Sequence, residues 1–256
     1  MRYRLPPLGK WDGAALTSGL FQANPLDLRI VGRTLLHAAL VGIAAGLVGS
    51  LVFAAVEYLQ VIVLEHWVGY RPLRAFGEEF AAGLEAAHFT PWLLVLVPAV
   101  GGVITGLLTQ LAPEARGGGG NAMIETFHQK NASIPSRVIW VKALASIFTL
   151  GTGGAGGREG PTMQIGGALG VWVARRLGVG ARERRVLLVA GVAAGISAVF
   201  RTPLGAALLA VEVLYRDGFE SEALIPSVLS SVVAYSVVIA TFGESTLFGT
   251  LPRFPF

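Results

Sequence analysis

Residues 151 to 161, Gly-Thr-Gly-Gly-Ala-Gly-Gly-Arg-Glu-Gly-Pro, set one carboxylate among glycines where an apolar stretch begins. Glycines let the backbone approach a ligand closely, and proline suits the first turn of a helix, where its missing N–H costs nothing. The free amides of that turn carry partial positive charge, so such a helix start can seat an anion. Glu159 can take that seat when ionised and leave it when protonated or displaced, which makes it a candidate gate. Its plainer role is that of a capping glutamate, but an ionisable group within a membrane span is functional by default.

Other chemistries fit less well. Gly151-Thr-Gly153-Gly-Ala-Gly156 matches the spacing of a dinucleotide loop, which also requires a preceding strand and an acidic residue about 20 positions later. Position 176 is arginine, and after Glu159 the next acidic residue is Glu183. A soluble dinucleotide-binding enzyme is therefore the weaker alternative. His37, His66, His88 and His128 lack partners at helical spacing, so no metal site is expected. A GxSxG elbow does not occur, and no catalytic residue is assigned.

The elements that would hold such a loop read as membrane helices. Of 256 residues, 53% are hydrophobic and 14% charged, against about 25% charged in soluble domains. From Val186 to Val211 the only ionisable side chain is Arg201, and from Trp92 to Leu111 there is none; both runs approach the roughly 20 residues that cross a bilayer. The net charge of +4 does not point to nucleic acid, because the basic residues flank apolar runs instead of forming one patch with aromatics. Arg29 and Arg33, and the group Arg175, Arg176, Arg182, Arg184 and Arg185, mark cytoplasmic ends. Cysteine is absent, so disulfides are excluded, and the first thirty residues hold no apolar core of a cleaved signal.

Along the chain, residues 1–32 read as a cytoplasmic N-terminal segment with one short surface helix. Thr34 to Leu64 forms a long, strongly tilted span, with Gly42, Gly46 and Gly49 spaced for close helix contact. Residues 65–90 form an external connection with a short amphipathic helix, and Trp92 to Leu111 is a second span ended by Pro113. Shorter pieces follow: a polar helix after the glycines at 117–120, then Ser136 to Leu150, Pro161 to Leu177, Val186 to Phe200 and Pro203 to Tyr215, before a full span from Leu224 to Phe242. A bilayer tolerates broken helices only around protein or a water-filled cavity, so the breaks point to an ion site near mid-membrane. The fold class is an all-α membrane protein with tilted and broken transmembrane helices and the lipid bilayer as its surroundings.

Gly157-Arg158-Glu159-Gly160-Pro161, Gln164-Ile165-Gly166, Ala194-Gly195-Ile196, Phe200-Arg201-Thr202-Pro203-Leu204-Gly205 and Glu212 stand in an order and spacing that resembles the CLC chloride channels and chloride/proton antiporters. The resemblance runs from about Thr34 to Phe242. It implies that Glu159 is the gating glutamate, that Gly157, Arg158, Gly160 and Pro161 contact the anion, and that Gly117, Gly118, Gly119, Gly120 and Asn121 form a second anion-binding helix start. This chain departs there, with glycine at 118 in place of the family's serine and Asn121 in place of proline. Gly118 has no hydroxyl to donate, leaving backbone amides or the Asn121 side chain. The alternative of a flexible four-glycine linker is opposed by the apolar helix that follows.

Val213, directly after Glu212, stands where antiporters of the family carry an internal proton-handling glutamate. Valine cannot titrate, so the resemblance ranks passive, channel-type chloride conduction first and chloride/proton exchange second. Glu212 is then a possible proton-path residue or the helical ion-pair partner of Arg216. The resemblance further implies chloride as the transported ion, no cofactor, an integral multi-pass protein of the plasma (inner) membrane, and a homodimer through helices near 203–242. Residues 33–243 correspond to the first of two inverted repeats and 244–256 to a shortened connection. The glycine-rich helix start and tyrosine hydroxyl of the second repeat are not recognisable after Phe242, so a half-protein is expected.

Overall fold

A computed structural model of the chain describes residues 25–71, 88–129, 131–215 and 221–243. The lead-in before residue 25, the amphipathic helix expected within 65–90, Arg216 and the connection after 243 lie outside the described residues. All regular structure among the described residues is helical: α1 Pro25–Gln60, α2 Leu93–Leu111, α3 Gly120–His128, α4 Arg137–Gly151, α5 Glu159–Arg176, α6 Ala181–Phe200, α7 Pro203–Tyr215 and α8 Ser221–Phe242. The helix α1 starts at Pro25, inside the segment expected to precede the span, and continues into a π-helical stretch, Val61–Val68, closed by Gly69 at φ 78°. Glu65, expected in an external connection, is instead buried in that stretch, 3.8 Å from Arg71.

The centre of the molecule is α6, buried at every residue from Val186 to Val199 and packed against α5, α8, α1 and α7. A helix enclosed on all sides has no use for a polar face. Its contact with α5 is made main chain to main chain. A Cβ at Gly166 or Gly170 would strike the carbonyl of Gly191 or Leu187, and one at Gly191 or Gly195 the carbonyl of Gly166 or Thr162. Each helix thus presents two small residues four apart, the spacing that lets backbones approach in lipid. The same device joins α1 to α8, where a Cβ on Gly46 would lie 3.0 Å from the Ala234 carbonyl, and α1 to α6, where one on Gly49 would lie 2.8 Å from Ala198 Cβ.

The starts of α1, α6 and α8 meet at one face. Glu183 takes Arg33 at 3.1 Å and His37 Nδ1 at 2.7 Å, while Arg182 clasps Glu222 through Nε at 3.1 Å and through Nη2. The three helices therefore run in the same direction from an arginine-rich face. By contrast α2 buries only Gly101 and is held to α4 by Thr105, whose hydroxyl donates to the Ala145 carbonyl at 3.1 Å. Among the described residues, three helices are long and apolar enough to cross a membrane, Gly32–Val68, Leu93–Leu111 and Glu222–Phe242.

Candidate functional site

Two helix starts separated by about forty residues in sequence meet in space. The first opens α3. Gly117 at φ 74° and Gly119 at φ 103° adopt backbone conformations that other residues rarely take, and the first helical hydrogen bond runs from Met123 N to Gly119 O at 3.1 Å. The amides of Gly120, Asn121 and Ala122 precede that bond and point out of the helix end. The second start opens α5, where Glu159 is the first helical residue and Thr162 N bonds to Arg158 O at 3.2 Å. Pro161 falls in this first turn, where no amide hydrogen is required.

The two starts touch without side chains between them. A Cβ on Gly119 would collide with the Gly160 carbonyl, and a Cβ on Gly160 with the Gly118 carbonyl. Gly118 itself is open, with nothing within 4 Å of an added Cβ. The structure thus brings Gly118 and Gly119 against Gly160, with Gly117, Gly120 and Pro161 beside them in sequence. Asn121 lies exposed on the first turn of α3.

Glu159 is exposed, and its carboxylate folds back beside Gly157. Thr162 Oγ1 donates to the Glu159 carbonyl at 2.9 Å, which fixes the turn beneath it. Arg158 points the other way, its guanidinium 5.0 Å from the centroid of the Phe53 ring on α1, a cation–π arrangement. Glu212 is exposed on α7, and Val213 is half-buried against the main core.

Two side chains behind the glycine loop hydrogen-bond to its backbone, a contact that the motifs did not reveal. Lys142 of α4, only 4% exposed, donates to the carbonyls of Ala115 at 3.1 Å and Gly117 at 2.6 Å. Gln164 of α5, fully buried, donates from Nε2 to the Glu114 carbonyl at 2.6 Å. Together they fix the strand of backbone that leads into α3. Lys142 had a legible signal, since it is the only ionisable side chain between Arg137 and Arg158, and charge inside an apolar run is costly unless used.

The dinucleotide alternative for Gly151 to Gly156 is corrected by local structure: the helix α4 precedes these residues, where the fingerprint needs a strand.

The pattern of the voltage gated chloride channel family matches residues 101–256, more than half of the chain. A chloride/fluoride channel protein of Pseudomonas syringae pv. tomato is 34% identical over 147 residues, 57% of this chain and 32% of its own length. An H(+)/Cl(-) exchange transporter of Salmonella arizonae is 34% identical over 217 residues, covering 83% of this chain and 43% of that protein. Among solved structures, a CLC-type fluoride/proton antiporter superimposes with a TM-score of 0.68 at 23% identity, over 92% of this chain and 52% of its own. A slow cyanobacterial Cl-/H+ antiporter gives a TM-score of 0.63, also at 23% identity, over 83% and 48%. The fold is therefore that of these transporters over about half their length, in an integral multi-pass membrane protein. The chain spans less than half the length of each of these two curated relatives.

Proposed function

The chain belongs to the voltage gated chloride channel family, and on that premise we propose that it supplies an anion seat and its gate to a CLC-type anion transporter. That family comprises ion channels and transporters, not enzymes. The observation that carries the proposal is the backbone contact between the two glycine helix starts at Gly118, Gly119 and Gly160, with Glu159 as the first residue of one of them. Bare main chain here lets unspent amides from two helices converge on one small ion, replacing the water it loses. Gly117 to Asn121 on one side, and Gly157, Arg158, Gly160 and Pro161 on the other, are the residues proposed to line it. Arg158 is proposed to contribute its main chain, its guanidinium lying over the Phe53 ring.

Proton-coupled exchange is the form of transport we favour. Of the four relatives described above, three carry exchange or antiport in their names, which reverses the order suggested by Val213 alone. In this reading Glu159 carries the proton from one side, and Glu212, one residue before Val213 on α7, is the candidate carrier on the other. Passive conduction is the second reading, favoured by the untitratable Val213 and by the channel named among the relatives. Chloride or fluoride is the ion, and a homodimer is proposed through α7 and α8, whose Leu204, Leu208 and Ile225 are exposed.

The test is flux from proteoliposomes containing the purified protein. An outward anion gradient should drive proton movement, and Glu159→Gln should abolish the proton movement while leaving or raising the anion leak. Anion flux with no proton movement in the wild type would select passive conduction; Glu159→Gln indistinguishable from wild type in both readouts would remove the gate.

A further inference from the structure

The side of the molecule where α5 ends and α6 begins carries more positive charge than the fold neutralises. Glu183 is taken by Arg33 and His37, and Glu222 by Arg182. Arg175, Arg176, Arg184 and Arg185 have no carboxylate within ion-pair distance among the described residues. Two of the four are gathered on one turn. Arg175 Nη2 donates to Ser133 Oγ at 2.9 Å and Arg184 Nη2 to the Asn131 carbonyl at 3.0 Å, and anchors two residues apart lie within about 7 Å of one another along the chain. Like charges drawn together repel unless an anion stands among them. Arg184 Nε is buried and has no hydrogen-bond partner among the described residues, and each guanidinium keeps further N–H donors in its planar fork. Arg185, next along α6, is exposed.

We propose that Arg175, Arg184 and Arg185 hold the phosphate headgroup of an anionic phospholipid at the turn between α5 and α6. The proposal does not depend on the anion seat, which involves the opposite end of α5. Two guanidiniums from different helices can each present parallel N–H donors to the oxygens of one phosphate. The surroundings favour a lipid over a free anion. The membrane spans Gly32–Val68 and Glu222–Phe242 both begin at this face, which places the turn at the edge of the bilayer. Leu177 in the turn is 42% exposed, and the Arg176 guanidinium lies 5.2 Å from the centroid of the Trp172 ring, an indole of the kind that collects at the membrane–water boundary. Free phosphate would pair with the arginines and leave Leu177 uncovered; an acyl chain covers it. Basic pockets between membrane helices recognise such headgroups.

The experiment titrates the detergent-extracted protein with phosphatidylglycerol and with phosphatidylcholine carrying the same fluorescent acyl chain. Inorganic phosphate serves as competitor and thermal melting as the check on folding. Phosphatidylglycerol should bind at least about tenfold more tightly than phosphatidylcholine, whose choline cation the arginines repel. Arg175→Gln, Arg184→Gln and Arg185→Gln should each weaken phosphatidylglycerol about fivefold and leave phosphatidylcholine unchanged. Arg185 has no side-chain partner among the described residues, so its substitution removes charge without loosening the fold, and it decides alone if the other two variants do not fold. Equal affinity for the two lipids overturns the proposal, as does an undiminished preference for phosphatidylglycerol in folded Arg185→Gln. Inorganic phosphate that displaces the lipid at equal concentration overturns it too, for the occupant is then a free anion.

Discussion

The helices α2 and α6 are alike as strings of residues and opposite as objects. Both are apolar over most of their length, near twenty residues long and carry glycines, three in α2 and two in α6, yet α2 buries only Gly101 while α6 is enclosed from Val186 to Val199. The difference lies in what the glycines face. Gly102 and Gly106 on α2 have nothing within 4 Å of an added Cβ, whereas Gly191 and Gly195 on α6 meet carbonyls of α5. In lipid an apolar surface gains little from leaving its surroundings, so contact is decided by how closely main chains can approach. Hydrophobicity brings a helix into the membrane; missing side chains bring it into the protein.

Substitutions at these positions should separate in size. The largest effect is expected for Gly191→Leu, whose side chain would have to displace the main chain of α5; a cost above about 3 kcal/mol should appear as loss of extractable, monodisperse protein. Near-wild-type yield would mean that α5 and α6 are further apart than described. Gly160→Ala comes next. One methyl group there meets the Gly118 carbonyl, so about 1–3 kcal/mol of stability and most anion binding should be lost in melting and titration. Gly118→Ser forms its internal control, since that position is open: melting should stay within about 0.5 kcal/mol of wild type, with the new hydroxyl shifting the ratio of chloride to fluoride affinity. An unaltered ratio would place the ion away from residue 118. An effect of opposite sign is expected for Gly102→Ala on α2, which should stabilise the protein by a few tenths of a kcal/mol, up to about 1 kcal/mol. A destabilised Gly102→Ala would reveal a hidden neighbour on that face.

Much of this was legible from residues alone, for reasons that are physical. Span lengths follow from bilayer thickness, and Gly42, Gly46 and Gly49 announced a packed face through their helical spacing. The Gly-Arg-Glu-Gly-Pro string announced a helix start because its residue types suit no other place so well. What stayed hidden depends on distant partners. The approach of Gly160 to Gly118 joins residues with no local signal of one another, and the enclosure of α6 cannot be told from lipid exposure when both surroundings are apolar. The π-helical stretch that buries Glu65 was missed because its acid and histidine resemble loop residues. Lys142 was visible as an exception in an apolar run, but its grip on the backbone before α3 needed three dimensions.

The bare meeting of Gly119 with Gly160 has a consequence for anyone wishing to retune this protein. Two main chains in contact leave no room for a side chain, so any residue other than glycine at 119 or 160 must push the two helix starts apart. On the proposed reading, ion preference is then adjusted from the neighbouring positions that have space for a side chain, Gly118 and Asn121 first among them.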